Sequence, residues 1–236
     1  MRQVHLVRHG QTRWNDEGRI QGWCYVGLNK RGQQQAQDVA SYLAKTHPTI
    51  EEIYTSDLPR ALQTAKIITS KEPFHNTPIY EDPVWRERDF GVFQGYDSQR
   101  FFSEYPEYAI LETGNDAAHE APEQGESYAD FDRRVRRAWT EFVDSVSVPE
   151  SCIVTHSGVI RQILAHIEEF DYKTAIAEIP LENCSVTTIS FSRDDHRIDS
   201  QNGYHFLKDQ TTAVGDEHSG GGDQTNVTTN LSDTKQ

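Results

Sequence analysis

Residues 6–12 read Leu6-Val7-Arg8-His9-Gly10-Gln11-Thr12, closing an apolar run that begins at Val4. An arginine and a histidine stand side by side where a buried strand meets a glycine turn. In open α/β sheets, ligands bind outside the carboxyl ends of the strands, so a site is expected here. Arginine presents a rigid fork of donors that fits phosphate oxygens. A neutral imidazole is well populated near pH 7 and can act as a nucleophile. Gly10 would let the backbone approach an anion closely.

Working outward, three further segments carry polar groups at loop or strand-to-helix positions. Residues 13–22 form a polar loop holding Asn15 and Gln21-Gly22, neutral donors suited to phosphate oxygens. Residues 55–65 place Arg60 just inside a helix start, where Pro59 occupies the first turn and Ser56 or Asp57 is the expected cap. Residues 154–161 place His156 after an apolar strand, with Ser157 and Gly158 at a helix N-terminus whose N–H groups can face an anion. Between them lies Trp85-Arg86-Glu87-Arg88-Asp89-Phe90-Gly91.

Taken in order, Arg8-His9-Gly10-Gln11-Thr12, Trp14-Asn15, Gln21-Gly22, Ser56 to Ala65, Glu87 to Gly91, Gly125-Glu126-Ser127 and Thr155 to Gly158 resemble the histidine phosphatase superfamily, phosphoglycerate mutase-like branch. The resemblance spans residues 4 to about 165. It implies a three-layer α/β/α sandwich on a mainly parallel sheet. It implies a phosphohistidine on His9, with Arg8, Arg60 and His156 as cations around the phosphoryl group. Glu87 takes the position of the family's general acid, although Glu81, Asp82 and Asp89 are near it in sequence. Asn15, Gln21, Gly22, Ser157 and Gly158 are the expected substrate-binding positions. The three cations already meet the phosphate charge, so no metal or other cofactor is expected.

Alternating patterns support the same fold. Strands are expected at 2–7, 52–55, 78–80, 151–155, 186–191 and 203–207; helices at 30–46, from Pro59, near 99–105, at 127–147 and at 158–168. The run Arg133-Arg134-Val135-Arg136-Arg137 lies on a helix whose apolar stripe is Phe131, Val135, Ala138, Trp139, Phe142 and Val146, so its arginines are expected mostly toward solvent.

The chain has 236 residues and a net charge of −14. An acidic chain argues against nucleic acid and anionic membrane as partners, and the resemblance implies a small phosphorylated substrate. Cys24, Cys152 and Cys184 suit neither a zinc cluster nor a disulfide framework. With no apolar run long enough to span a bilayer, a cytoplasmic location is expected. A catalytic domain is expected over 1–210. The polar stretch 211–236 contains no aromatic residue and is expected to be a disordered tail. The oligomeric state is not legible.

The leading function is a metal-independent phosphatase acting on phosphate monoesters. A phosphoglycerate mutase would use the same phosphohistidine but needs cations for the glycerate carboxylate. Segment 101–132 contains no lysine or arginine and carries Glu104, Glu107, Glu112, Asp116, Glu120, Glu123 and Glu126. A catalytically silent phosphate-binding module on the same fold is the third reading; the presence of both His9 and Glu87 disfavours it.

Overall fold

The computed structural model describes residues 1–193 and 195–207. The expected tail at 211–236 lies outside the described residues. Six strands form one sheet in the order β3-β2-β4-β1-β5-β6: β1 (Arg2–Arg8), β2 (Glu52–Thr55), β3 (Ile79–Glu81), β4 (Glu150–Thr155), β5 (Val186–Phe191) and β6 (His196–Gly203). The first four in that order run parallel and β5 pairs antiparallel with both β1 and β6, so the sheet is mixed with a parallel centre.

Side-chain alternation along the central strands feeds two cores. Val4 and Leu6 of β1 and Ile153 of β4 pack with α6 (Tyr128–Ser145) and α7 (Ser157–Ile167). Val7, Cys152 and Val154 pack with α2 (Lys30–Thr46) and α3 (Pro59–Thr69) on the other face. Helices on both faces make the three-layer sandwich. Each fully buried Leu, Ile or Phe contributes about 1.5–3 kcal/mol of burial. A short helix, α1 (Arg13–Asp16), follows the first loop, and α4 (Ser98–Glu104) and α5 (Ile110–Thr113) lie in the acidic segment.

Three sequence readings are corrected. The last strand is at His196–Gly203, not 203–207. It is an exposed edge, where a polar sequence with one inward Ile198 suffices; Phe206 instead stacks on Tyr42. Helix α8 (Tyr172–Glu178) is a further element, capped by Asp171. Finally, α3 is capped by neither Ser56 nor Asp57: Leu58 is the N-cap, while Ser56 bonds with His156 and Asp57 pairs with Arg86.

Candidate active site

Strands β1, β2 and β4 are parallel neighbours, so their carboxyl ends deliver Arg8-His9, Ser56 and His156 to one place. The His9 N–H donates to Thr155 O at 2.9 Å, locking the two strand ends. Both histidines are buried, and their ring centroids lie 5.1 Å apart.

His9 Nδ1 donates to Gly10 O at 2.8 Å. A carbonyl can only accept, so the proton sits on Nδ1 and Nε2 keeps its lone pair. Burial, then the charges of Arg60 and Arg8, hold the His9 pKa well below 6.5, against the Gly10 hydrogen bond. His156 is likewise held well below 6.5, chiefly by burial and then by Arg60. Its Nε2 hydrogen bonds with Ser56 Oγ at 2.9 Å. His156 Nδ1 and Asn15 Nδ2 are buried with no hydrogen-bond partner among the described residues.

The arginines are held from behind. Arg60 donates to Gly22 O at 2.7 Å and Cys24 O at 3.1 Å. Arg8 donates to Leu181 O. Asn15 Oδ1 accepts from the Thr12 N–H, and Gln21 Oε1 accepts from Thr12 Oγ at 2.8 Å, so Thr12 orients both amides of the first loop.

Glu87 is buried. Its Oε1 accepts from Arg88 N at 2.8 Å and its Oε2 from Gly158 N at 3.0 Å, at the start of α7 beside His156. Asp89 instead caps Gly91 and Glu81 is exposed, so Glu87 is the carboxylate of that group turned to this helix end.

Two expectations change here. The Gly158 N–H serves Glu87 rather than a ligand, and a Cβ at 158 would collide with the Glu87 carboxylate. The Gly10 N–H donates to Thr64 Oγ, and a Cβ there would strike the backbone of Gly32 in α2. Gly10 thus serves helix packing. Ser157, the first residue of α7, is buried at the same helix end, and Gly22 contributes its carbonyl to Arg60.

Sequence reasoning missed a clamp behind the acid. Arg134 of α6, expected toward solvent, donates to the carbonyls of Val84 at 2.8 Å, Arg86 at 3.0 Å and Glu87 at 3.1 Å. It also forks onto Glu126 at 2.8 and 2.7 Å. Glu126 Oε2 accepts from Asp89 N, and its carbonyl accepts from Arg88 Nε. Trp23 Nε1 adds a donor to Glu87 O at 2.8 Å. Segment 84–89 is therefore fixed by its backbone carbonyls, which sequence spacing does not reveal. Asn183, whose Nδ2 donates to His9 O, was missed for the same reason.

A carboxylate, two buried histidines and two buried arginines gather around the start of α7, an arrangement able to hold an anion. The chain belongs to the histidine phosphatase superfamily, branch 1, whose sequence model matches residues 4–203. It is 34% identical over 200 residues to a metal-independent phosphoserine phosphatase of Arabidopsis thaliana, covering 84% of this chain and 80% of that protein. It is 37% identical over 161 residues to phosphoglycerate mutase-like protein 4 of the same plant, covering 68% and 69%. A solved mycobacterial glucosyl-3-phosphoglycerate phosphatase superposes with a TM-score of 0.71 at 29% identity, over 86% of this chain and 99% of the other. With phosphatases among these relatives, the chain is a phosphomonoesterase of that superfamily.

Proposed function

We propose that the protein hydrolyses phosphate monoesters through a phosphohistidine on His9, without a metal. The observation that carries this reading is the state of His9: buried, neutral, with Nδ1–H held by Gly10 O and both arginines near enough to depress its pKa. Nε2 attacks phosphorus as the ester oxygen leaves. Arg8 and Arg60 stabilise charge on the non-bridging oxygens. Asn15 Nδ2, Gln21 and the Ser157 N–H add neutral donors. A phosphoryl dianion beside His156 opposes the burial and the arginine charges that now keep this ring neutral, and favours its protonation.

Glu87 delivers a proton to the departing alkoxide, then takes one from the water that attacks the phosphohistidine. The acid role requires the carboxyl to carry a proton when the ester binds.

Release to water is favoured over return to a glycerate. Arg13 and Arg19 pair with Glu17, at 2.5 and 2.9 Å, Arg86 pairs with Asp57, and Arg88 is buried against Phe90 and Tyr128. Arg86 and Arg88 are thus committed, Arg13 and Arg19 share the single carboxylate of Glu17 at the surface, and segment 101–132 has no lysine or arginine. The family's two outcomes are separated by incubation with 3-phosphoglycerate and a bisphosphoglycerate primer, followed by phosphorus NMR. Inorganic phosphate should accumulate with negligible 2-phosphoglycerate. Isomerisation faster than phosphate release would make the protein a mutase.

A further inference from the structure

One titratable cluster stands apart from the phosphate site, near the amino ends of β1 and β4. His5 lies in β1, His47 ends α2 and Glu150 opens β4. His5 is four residues before His9 on an extended strand, which separates the two places by about 13 Å.

The three side chains converge on one oxygen. His5 Nε2 is 2.8 Å and His47 Nδ1 3.0 Å from Glu150 Oε1, and the two rings lie 3.9 Å apart between centroids. Their ligating atoms all fall within 4.8 Å of one another, the one such trio among the described residues. Surrounding groups orient them. His5 Nδ1 meets Thr188 Oγ at 3.1 Å, and Thr49 Oγ donates to Glu150 Oε2. The His5 side chain is fully buried and that of Glu150 nearly so, while His47 is 20% exposed and offers a way in.

We propose that His5, His47 and Glu150 form a zinc-binding site, with water as fourth ligand, that ties the loop after α2 to the sheet. Two imidazoles and one carboxylate are a zinc donor set. Around a tetrahedral ion with bonds of about 2.0–2.1 Å, ligand atoms sit about 3.3 Å apart. Glu150 need retreat only a few tenths of an ångström, and the two ring nitrogens, which lie within 4.8 Å of each other, must close toward that spacing by turning the rings. A neutral His5 shifts its ring proton from Nε2 to Nδ1, where Thr188 Oγ accepts it, an orienting contact of the kind bound histidines use. The ion has no part in the phosphoryl chemistry.

The test is equilibrium dialysis of the full chain against zinc at pH 7.5, with cobalt absorption as a second readout. The wild type should take up one equivalent, show the intense visible bands of tetrahedral cobalt, and gain about 5 °C in melting midpoint at a hundredfold excess over Kd. His47→Gln keeps a hydrogen-bond donor beside Glu150 but removes the imidazole. It should weaken zinc at least tenfold and leave phosphatase turnover unchanged. His9→Ala should keep the equivalent. Absence of saturable uptake by the wild type overturns the proposal. So does zinc that is lost in His9→Ala yet retained in His47→Gln, because the ion would then belong to the phosphate site.

Discussion

Glu87 can reach the start of α7 because residue 158 has no side chain. Gly158→Ala should therefore act as a displaced-acid variant. Alanine is the better helix former, but displacing buried Glu87 from two backbone N–H groups offsets that gain, so the melting midpoint should not rise. Turnover of an alkyl phosphate should fall by about 10²-fold, the lower range for loss of general acid catalysis. Glu87→Gln should show the same selectivity, with an aryl phosphate much less affected because phenolate leaves without a proton. Equal losses on both substrates would remove Glu87 from the acid role. His9 makes a separate prediction about pH. At pH 5.5 an ordinary histidine of pKa 6.5 is only about 10% neutral. Since burial and two arginines lower the His9 pKa, phosphohistidine formation from saturating aryl phosphate should hold well above that fraction at pH 5.5. A tenfold fall between pH 7.5 and 5.5 in the His9 phosphorylation step would show an exposed, unshifted nucleophile.

At the scale of elements, the acid is set by how segment 84–89 meets α6. Arg134→Lys keeps a charge but loses the planar fork that spans Glu126 and three carbonyls. A misplacement near 1 Å can cost about 10²-fold, so alkyl phosphate turnover should drop tenfold to a hundredfold while aryl phosphate turnover drops less. A uniform loss on both substrates would mean the clamp merely stabilises the fold. The clamp also marks where reading a sequence stops. The central strands and α2 were legible because apolar periodicity is a local signal. Arg8, His9 and His156 could be grouped from sequence because the ends of parallel strands gather in one place, and Arg60 because it stands in the first turn of the helix after β2. Arg134 was not, because its partners are mostly backbone carbonyls about 50 residues away. Gly10 and Gly158 were misread for a like reason: what a missing Cβ makes room for is decided by a distant element. The edge strand β6 was displaced in sequence because solvent exposure erases the apolar signal.

Across the whole molecule, two buried neutral histidines tie stability to pH. His9 and His156 titrate well below 6.5 when folded and near 6.5 when unfolded. Above pH 6.5 neither state takes the protons. Below it the unfolded chain does and the folded chain does not, so stability falls as pH drops, by up to about 1.4 kcal/mol per unit for each ring. Urea midpoints should decline from pH 7 to 5.5, and His9→Ala should flatten the decline. A midpoint independent of pH would mean these rings are solvated. No helix among the described residues is long and apolar enough to cross a membrane. The most direct test of the chemistry is rapid quench of wild type with a phosphorus-labelled monoester. Acid-labile, base-stable label should appear on His9 within one turnover, decay to inorganic phosphate, and be absent in a folded, inactive His9→Ala variant. Turnover by His9→Ala near the wild-type rate, or label carried on another residue, would contradict the mechanism.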